Sequence, residues 1–307
     1  MQIINQKIII NRSELNSRKT KNIEIAARTC YKSENKATKE PNHNFIRGLI
    51  NSGHESVIEH EKITVRIITS RAITHELVRH RLASYSQEST RYCNYTQDRF
   101  GGMQFIRPYF KGAIDQDMAT LASLWKDGMA HAESTYNKMI AMGANPEEAR
   151  GVLPNDLKTE IVVTMNMRAW RHFLKIRKDK TAVPQIRFLA QGLLCTFQQF
   201  FPSLFDDIQT ESDIDIENYP DLEIIEDVEQ GKNYVSKELP PIQKTYTLGA
   251  AIDRILQRPE LRFKNLVDGG ELFYSCKDER MMYLLNDIEE IFTVEFFNDR
   301  LAKFIEL

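Results

Sequence analysis

The sequence predicts an α+β fold: a mixed or antiparallel sheet with flanking helices, followed by a mainly helical C-terminal extension. Three observations predict it. Ile63–Thr69 and Thr159–Thr164 are short runs rich in β-branched residues, as strands require. Ile114–Met142 carries Ile114, Met118, Leu121, Trp125, Met129, Tyr136 and Ile140 at intervals of three, four or seven, the period of an amphipathic helix. Neither a G-x-G-x-x-G nor a G-K-[ST] loop occurs, which argues against a Rossmann dinucleotide site and against a P-loop.

Composition bounds the rest. A chain of 307 residues can bury a large core in one large domain or two. The formal net charge of −2 gives no global attraction to nucleic acid or membrane, so any phosphate site must be built locally. The four cysteines (Cys30, Cys93, Cys195, Cys276) are scattered without a C-x-x-C pair, which indicates neither a zinc knuckle nor a disulfide framework. No charged-then-apolar leader opens the chain and no apolar run approaches about 18 residues. A soluble cytoplasmic protein without a membrane partner is the expectation.

In chain order, residues 1–12 alternate weakly and suit a short strand. Asn22–Tyr31 reads as a helix, and Asn42–Asn51 as another, halted by Gly53. The strand Ile63–Thr69 delivers the chain to Ser70, a fitting N-cap, after which Ile73, Leu77 and Val78 form one apolar helical face. Ser84–Ser89, small and polar without an apolar period, reads as a loop. Gly101-Gly102 marks a turn before a strand at Met103–Ile106. Gly143 suits the C-cap of the long helix, and Asn145-Pro146 with Glu148 matches a capping box opening a short helix that ends near Arg150. Asn166 can cap a helix over Met167–Arg177, and Pro184–Phe201 gives one more, with Leu189, Leu193, Phe197 and Phe200 along one side. Asp206–Glu229 holds eleven Asp/Glu and no Lys or Arg, which suggests a linker or boundary. Beyond it, Leu248–Leu256, Glu279–Ile291 and Glu295–Ile305 read as helices. The domain reading is therefore a catalytic domain over 1–215 and an extension over 216–307.

The chemistry concentrates in Ser70–Tyr92, where Arg79, His80, Arg81 and Arg91 lie among Ser84, Ser86, Gln87, Ser89 and Thr90. Three basic residues at a helix C-terminus complement the macrodipole, and on charge alone they face solvent. Ser89-x-Arg91-Tyr92 follows at once, however, and arginine forks with hydroxyl donors over so short a span suit an oxyanion better than water.

Arg79-His80-Arg81, then seven residues, then Ser89-Thr90-Arg91-Tyr92, resembles the signature of the flavin-dependent thymidylate synthases. A-R-G-V-L-P around Arg150, N-M-R at Asn166–Arg168, F-L-x-x-R ending at Arg177 and Gly53-His54-Glu55-Ser56 match the same family in order and spacing, over roughly residues 20–205. The resemblance implies FAD-dependent reductive methylation of dUMP to dTMP in dTMP biosynthesis. Methylenetetrahydrofolate is the implied one-carbon donor and NADPH the reductant, with sites shared between subunits of a homotetramer. It implies dUMP contacts at Glu76, Arg79, Gln87, Glu88, Ser89, Arg91, Arg150 and Arg177, with Arg177 catalytic through charge stabilisation at O2/N3 of the uracil. It implies FAD contacts at Ser56, Arg79, His80, Arg81, Gln87, Asn166, Arg168 and His172, and a pocket role for His54. Glu76 stands where many members carry Gln, Thr181 where some place His, and His172 where some place Asn.

Other constellations weigh less. His75-Glu76-x-x-x-His80 is one residue too long for a zinc-protease pair, because i and i+5 lie about 140° apart on a helix. His54 and His60 match no trusted ligand spacing either, so no metal is expected. No cysteine sits in an activating context, and Ser89 has no evident base, so it reads as a substrate ligand. The rival reading is a nucleic-acid-binding module using Arg79-His80-Arg81 with Tyr85 and Tyr92. Such modules carry a domain-wide basic stripe, which a slightly acidic chain lacks; no nucleic-acid partner is expected.

Overall fold

The computed structural model describes residues 1–97, 101–110, 115–210 and 220–225, and six short strands between 245 and 306. The chain divides into two compact units, Met1–Lys237 and Glu238–Leu307.

The first unit contains strands β1 (Gln2–Ile4), β2 (Lys7–Asn11), β3 (Lys62–Ser70), β4 (Ala83–Gln87), β5 (Gln104–Ile106), β6 (Lys158–Asn166) and β7 (Asp221–Ile225). Five of them form a mixed sheet in the order β4-β6-β3-β2-β7, antiparallel except for the parallel β2–β7 pair. β1 and β5 pair separately, in parallel. The helices are α1 (Arg18–Cys30), α2 (His43–Asn51), α3 (Arg71–Leu77), α4 (Asp115–Ala141), α5 (Pro146–Ala149), α6 (Met167–Arg177), α7 (Pro184–Phe200) and α8 (Pro202–Phe205).

Period-two alternation builds the core. Ile63, Val65 and Ile67 of β3 pair with Met165, Val163 and Ile161 of β6, and all six are buried on one face. Ile8 and Ile10 of β2 extend the row through Ile67 and Val65. Trp170, Phe173 and Leu174 of α6 and Ile186, Leu189, Leu193 and Phe197 of α7 cover this face, each fully buried. Burying each such side chain stabilises by about 1.5–3 kcal/mol. The Trp170 indole N–H donates to the Ile63 carbonyl at 3.0 Å, so the largest core residue also fixes α6 against β3. A second cluster, with Tyr95, Phe105, Tyr136 and Leu157, seats α4.

The expected caps are present. The Ser70 hydroxyl accepts the Ile73 N–H at 3.4 Å, and the Asn166 side chain accepts that of Ala169 at 2.8 Å. Asn145 and Glu148 close the capping box on α5. Gly143 takes φ +98° after α4, where its N–H reaches the Ile140 carbonyl, a conformation a Cβ would strain.

Four readings need correction. Residues 1–12 form two strands, β1 and β2. Ser84–Ser89 is not a loop throughout: Ala83–Gln87 is the edge strand β4 beside β6, with Ser84 and Ser86 on its exposed face and Ala83 and Tyr85 packed against the core. The helix before it ends at Leu77, so Arg79, His80 and Arg81 lie in the turn that follows. The C-terminal extension is not mainly helical where it is described. Its strands are β8 (Thr245–Thr247), β9 (Arg262–Asn265), β10 (Glu271–Ser275), β11 (Arg280–Leu285), β12 (Ile288–Ile291) and β13 (Lys303–Glu306), in one antiparallel sheet ordered β12-β11-β10-β9-β13-β8. β11 and β12 therefore replace the helix expected over Glu279–Ile291, and β13 replaces the end of the one expected over Glu295–Ile305. Short apolar runs fit both periods, and cross-strand pairing decides between them. The Leu248–Leu256 expectation falls outside the described residues. Within the acidic segment, Asp221–Ile225 is a strand of the main sheet.

Candidate active site

α3 leaves β3 at Ser70, and α6 leaves the antiparallel neighbour β6 at Asn166, the opposite end of the pair. The two helices run back toward each other, and the last residue of α6, Arg177, meets the last turn of α3. Its Nη1 donates to Glu76 Oε2 at 2.6 Å, its Nη2 to the Glu76 carbonyl at 3.1 Å, and its Nε to His80 Nε2 at 2.8 Å. The pair is partly shielded, with the two side chains 18% and 32% exposed. A charge-assisted contact of this kind holds a guanidinium in one plane.

The Tyr85 hydroxyl lies 2.9 and 2.7 Å from the carbonyl oxygens of Leu77 and His80, pinning the turn to β4. Burial pushes its pKa up to about 12, so it remains a neutral donor. The His80 ring packs edge-on against Phe173 at 5.0 Å and lies 6.2 Å from His172, centroid to centroid. Burial, then the Arg177 charge and then His172, push the His80 pKa down to about 4. A neutral imidazole is what a ring nitrogen accepting from Arg177 must be.

Gln87 and Glu88 point elsewhere. The Gln87 carboxamide N–H reaches the hydroxyls of Thr74 at 2.9 Å and Thr159 at 3.3 Å. Glu88 accepts from the Tyr95 hydroxyl at 2.7 Å and from Lys158 at 3.1 Å. Burial draws the Lys158 ammonium down, but Glu160 and Glu88 outweigh it and hold its pKa above the usual value. Gln87, Glu88, Lys158 and Glu160, with Arg66 and Ser86, line an open pocket of about 430 Å³.

Arg91 and Arg150 form a third group. Arg91 Nε donates to Glu147 on α5 at 3.0 Å, and Arg150 follows α5 directly. Both members of the Arg91–Glu147 pair are about half exposed, so it adds little stability and is readily exchanged for another anion. Ser89 Oγ accepts the Arg91 main-chain N–H at 3.3 Å and meets no histidine or carboxylate among the described residues, so nothing there activates it as a nucleophile. Arg79 and Arg81 are exposed and engage no carboxylate among the described residues.

The remaining expected residues gather where α6 begins. Arg168 donates to Glu59 at 2.6 Å and faces Glu55 at 3.7 Å, on the 3₁₀ turn Glu55–His60 that also carries Ser56. Arg171, one turn on, is buried among Glu55, Asp207 and the Leu204 carbonyl and serves as a structural tie. His172 is exposed. The oxygen of the Asn166 carboxamide is committed to its cap, leaving its N–H₂ group. His54 Nδ1 lies 2.7 Å from the Tyr31 hydroxyl.

The structure thus brings Glu76, His80, His172 and Arg177 together, keeps Arg91 and Arg150 beside α5, and turns Gln87 and Glu88 toward the polar pocket. Tyr31, Thr74, Lys158 and Thr159 were missed as neighbours of these groups. Only the register of β6 against β3 and β4 brings the last two there, and no local motif marks them. Among the described residues no three or more His, Cys, Asp or Glu side chains gather as a metal site, and no helix is long and apolar enough to cross a membrane.

A family model described as thymidylate synthase complementing protein matches residues 14–203. The chain is 37% identical over 196 residues to proteins named flavin-dependent thymidylate synthase from Mycobacterium bovis and Mycobacterium tuberculosis, covering 61% of this chain and 78% of each relative. A protein of the same name from Mycobacterium avium is 35% identical over the same length. The second compact unit lies outside the family match.

Proposed function

The chain belongs to the thymidylate synthase complementing protein family, the flavin-dependent thymidylate synthases, and from that premise we propose that it converts dUMP to dTMP by reductive methylation. Methylenetetrahydrofolate donates the carbon and NADPH the reducing equivalents. The observation that carries this reading is Arg177, drawn from the far end of the family motifs onto the turn that holds Arg79-His80-Arg81.

The chemistry asked of the protein is to make C5 of uracil electron-rich without an enzyme nucleophile. As N3 loses its proton, negative charge develops over the ring, and a guanidinium at O2/N3 stabilises it. Arg177 suits this role because α3 and the following turn engage three of its five N–H groups. One remains on each Nη for the substrate. Arg79, Ser89, Arg91 and Arg150 orient the phosphate and ribose, so that binding energy is spent on position.

The donor set fits a flavin diphosphate. Arg79 and Arg81 are exposed cations with no carboxylate neighbour among the described residues. Ser56, His80, Gln87, Asn166, Arg168 and His172 add hydroxyl, amide, imidazole and guanidinium groups that would hold the rest of an FAD, and His54 would line the pocket. Bound there, the flavin supplies the hydride chemistry that no side chain can. Arg91 and Arg150 lie beside α5 and not in the Arg177 cluster, which supports sites completed by other subunits of a homotetramer.

A visible spectrum of the purified protein tests the reading. A flavin band that bleaches with NADPH and dUMP, with dTMP formed once methylenetetrahydrofolate is added, is expected. Colourless protein that binds oligonucleotides in a salt-sensitive way would point instead to a nucleic-acid module.

A further inference from the structure

We propose that Glu76 is a positioning residue that acts on the nucleotide through Arg177, aiming its guanidinium and partly offsetting its charge. The inference rests on the reading of Arg177 as the group that polarises the pyrimidine.

Two contacts from one residue do the aiming. The Glu76 carboxylate takes Nη1 at 2.6 Å and its carbonyl takes Nη2 at 3.1 Å, while His80 takes Nε at 2.8 Å. The main-chain contact survives any substitution at 76, whereas the carboxylate contact does not. The carboxylate also subtracts from the positive potential that Arg177 presents to an anion, in a site where neither partner is fully in water. Arg79 and Arg81 lie in the turn just beyond, so the nucleotide meets a cationic face with one negative charge set into it.

A glutamine at 76 keeps an acceptor oxygen for Nη1 and removes the charge; an alanine removes both. The two variants therefore separate aim from charge. Calorimetric titration of dUMP into the flavin-loaded full-length protein should show Glu76→Gln binding about 3- to 10-fold tighter than the wild type, as expected for one screened charge at substrate range. In steady-state assays at saturating dUMP, kcat of Glu76→Ala should fall at least tenfold below that of Glu76→Gln, because only the latter holds the guanidinium plane. Unchanged or weaker dUMP binding by Glu76→Gln, or equal kcat for the two variants, overturns the inference. Arg177→Ala, assayed alongside, separates the two levels. Wild-type dTMP formation by that variant refutes the role of Arg177 and the inference with it. A large loss there, with no change of affinity in Glu76→Gln, leaves Arg177 standing and removes Glu76 alone.

Discussion

The Nε–H of Arg177 donates to Nε2 of His80 at 2.8 Å, across 97 residues of sequence, so the imidazole is neutral and carries its proton on Nδ1. Protonating His80 would set two cations against each other in a half-buried site.

This has a pH consequence of definite sign. The His80 pKa falls from 6.5 to about 4 on folding, through burial first and then through Arg177 and His172. Below about pH 6.5 the unfolded chain takes up a proton there that the folded chain refuses, so stability drops as pH falls from 6.5 toward 4. Thermal melting across that range should show a shallower decline for His80→Gln, which accepts from Arg177 and does not titrate. A decline as steep as that of the wild type would show that other groups govern it.

Arg177→Ala should lower dTMP turnover by about 10²–10³-fold, the cost of losing one preorganised donor at a developing charge, with flavin content retained. Arg177→Lys should restore little, because a single ammonium cannot meet Glu76, His80 and substrate in one plane. Full activity in the lysine variant would indicate that charge alone suffices.

Ser89 Oγ accepts the Arg91 N–H and has no base beside it among the described residues. Ser89→Ala should therefore weaken dUMP binding yet keep measurable turnover at saturating dUMP. Abolished turnover with normal dUMP affinity would restore the serine to a nucleophilic role.

Asn166 is the hinge between β6 and α6. Removing its cap with Asn166→Ala should cost about 1 kcal/mol in denaturant unfolding. Asn166→Asp or Asn166→Ser should recover most of it; failure of both would place the effect outside capping.

Leu82 sits at φ +63° and is 83% exposed, directly after Arg81. A leucine there bears left-handed strain with no burial to offset it. Leu82→Gly should stabilise the fold by up to about 1 kcal/mol, relief of that strain less the extra chain entropy of glycine. Thermal melting checks the sign, and a lower melting temperature would show that the leucine makes a contact outside the single chain.

The sequence by itself determined what is local. The caps at Ser70, Asn145 and Asn166 answer unsatisfied N–H groups three residues on, and the strands β3 and β6 and helices α6 and α7 follow from apolar periods within each segment. The spacing from Arg79-His80-Arg81 to Ser89 is local too, and it sufficed to point to the family. Tertiary structure alone decided what depends on partners. β4 is a strand because β6 offers it an edge, and the tail strands exist through one another. Arg177 faces Glu76 and His80 because two antiparallel strands launch α3 and α6 from opposite ends. Local propensity is set by neighbours a few residues away, whereas the pairing of residues about a hundred apart is set by which strands share hydrogen bonds, and no short motif encodes that.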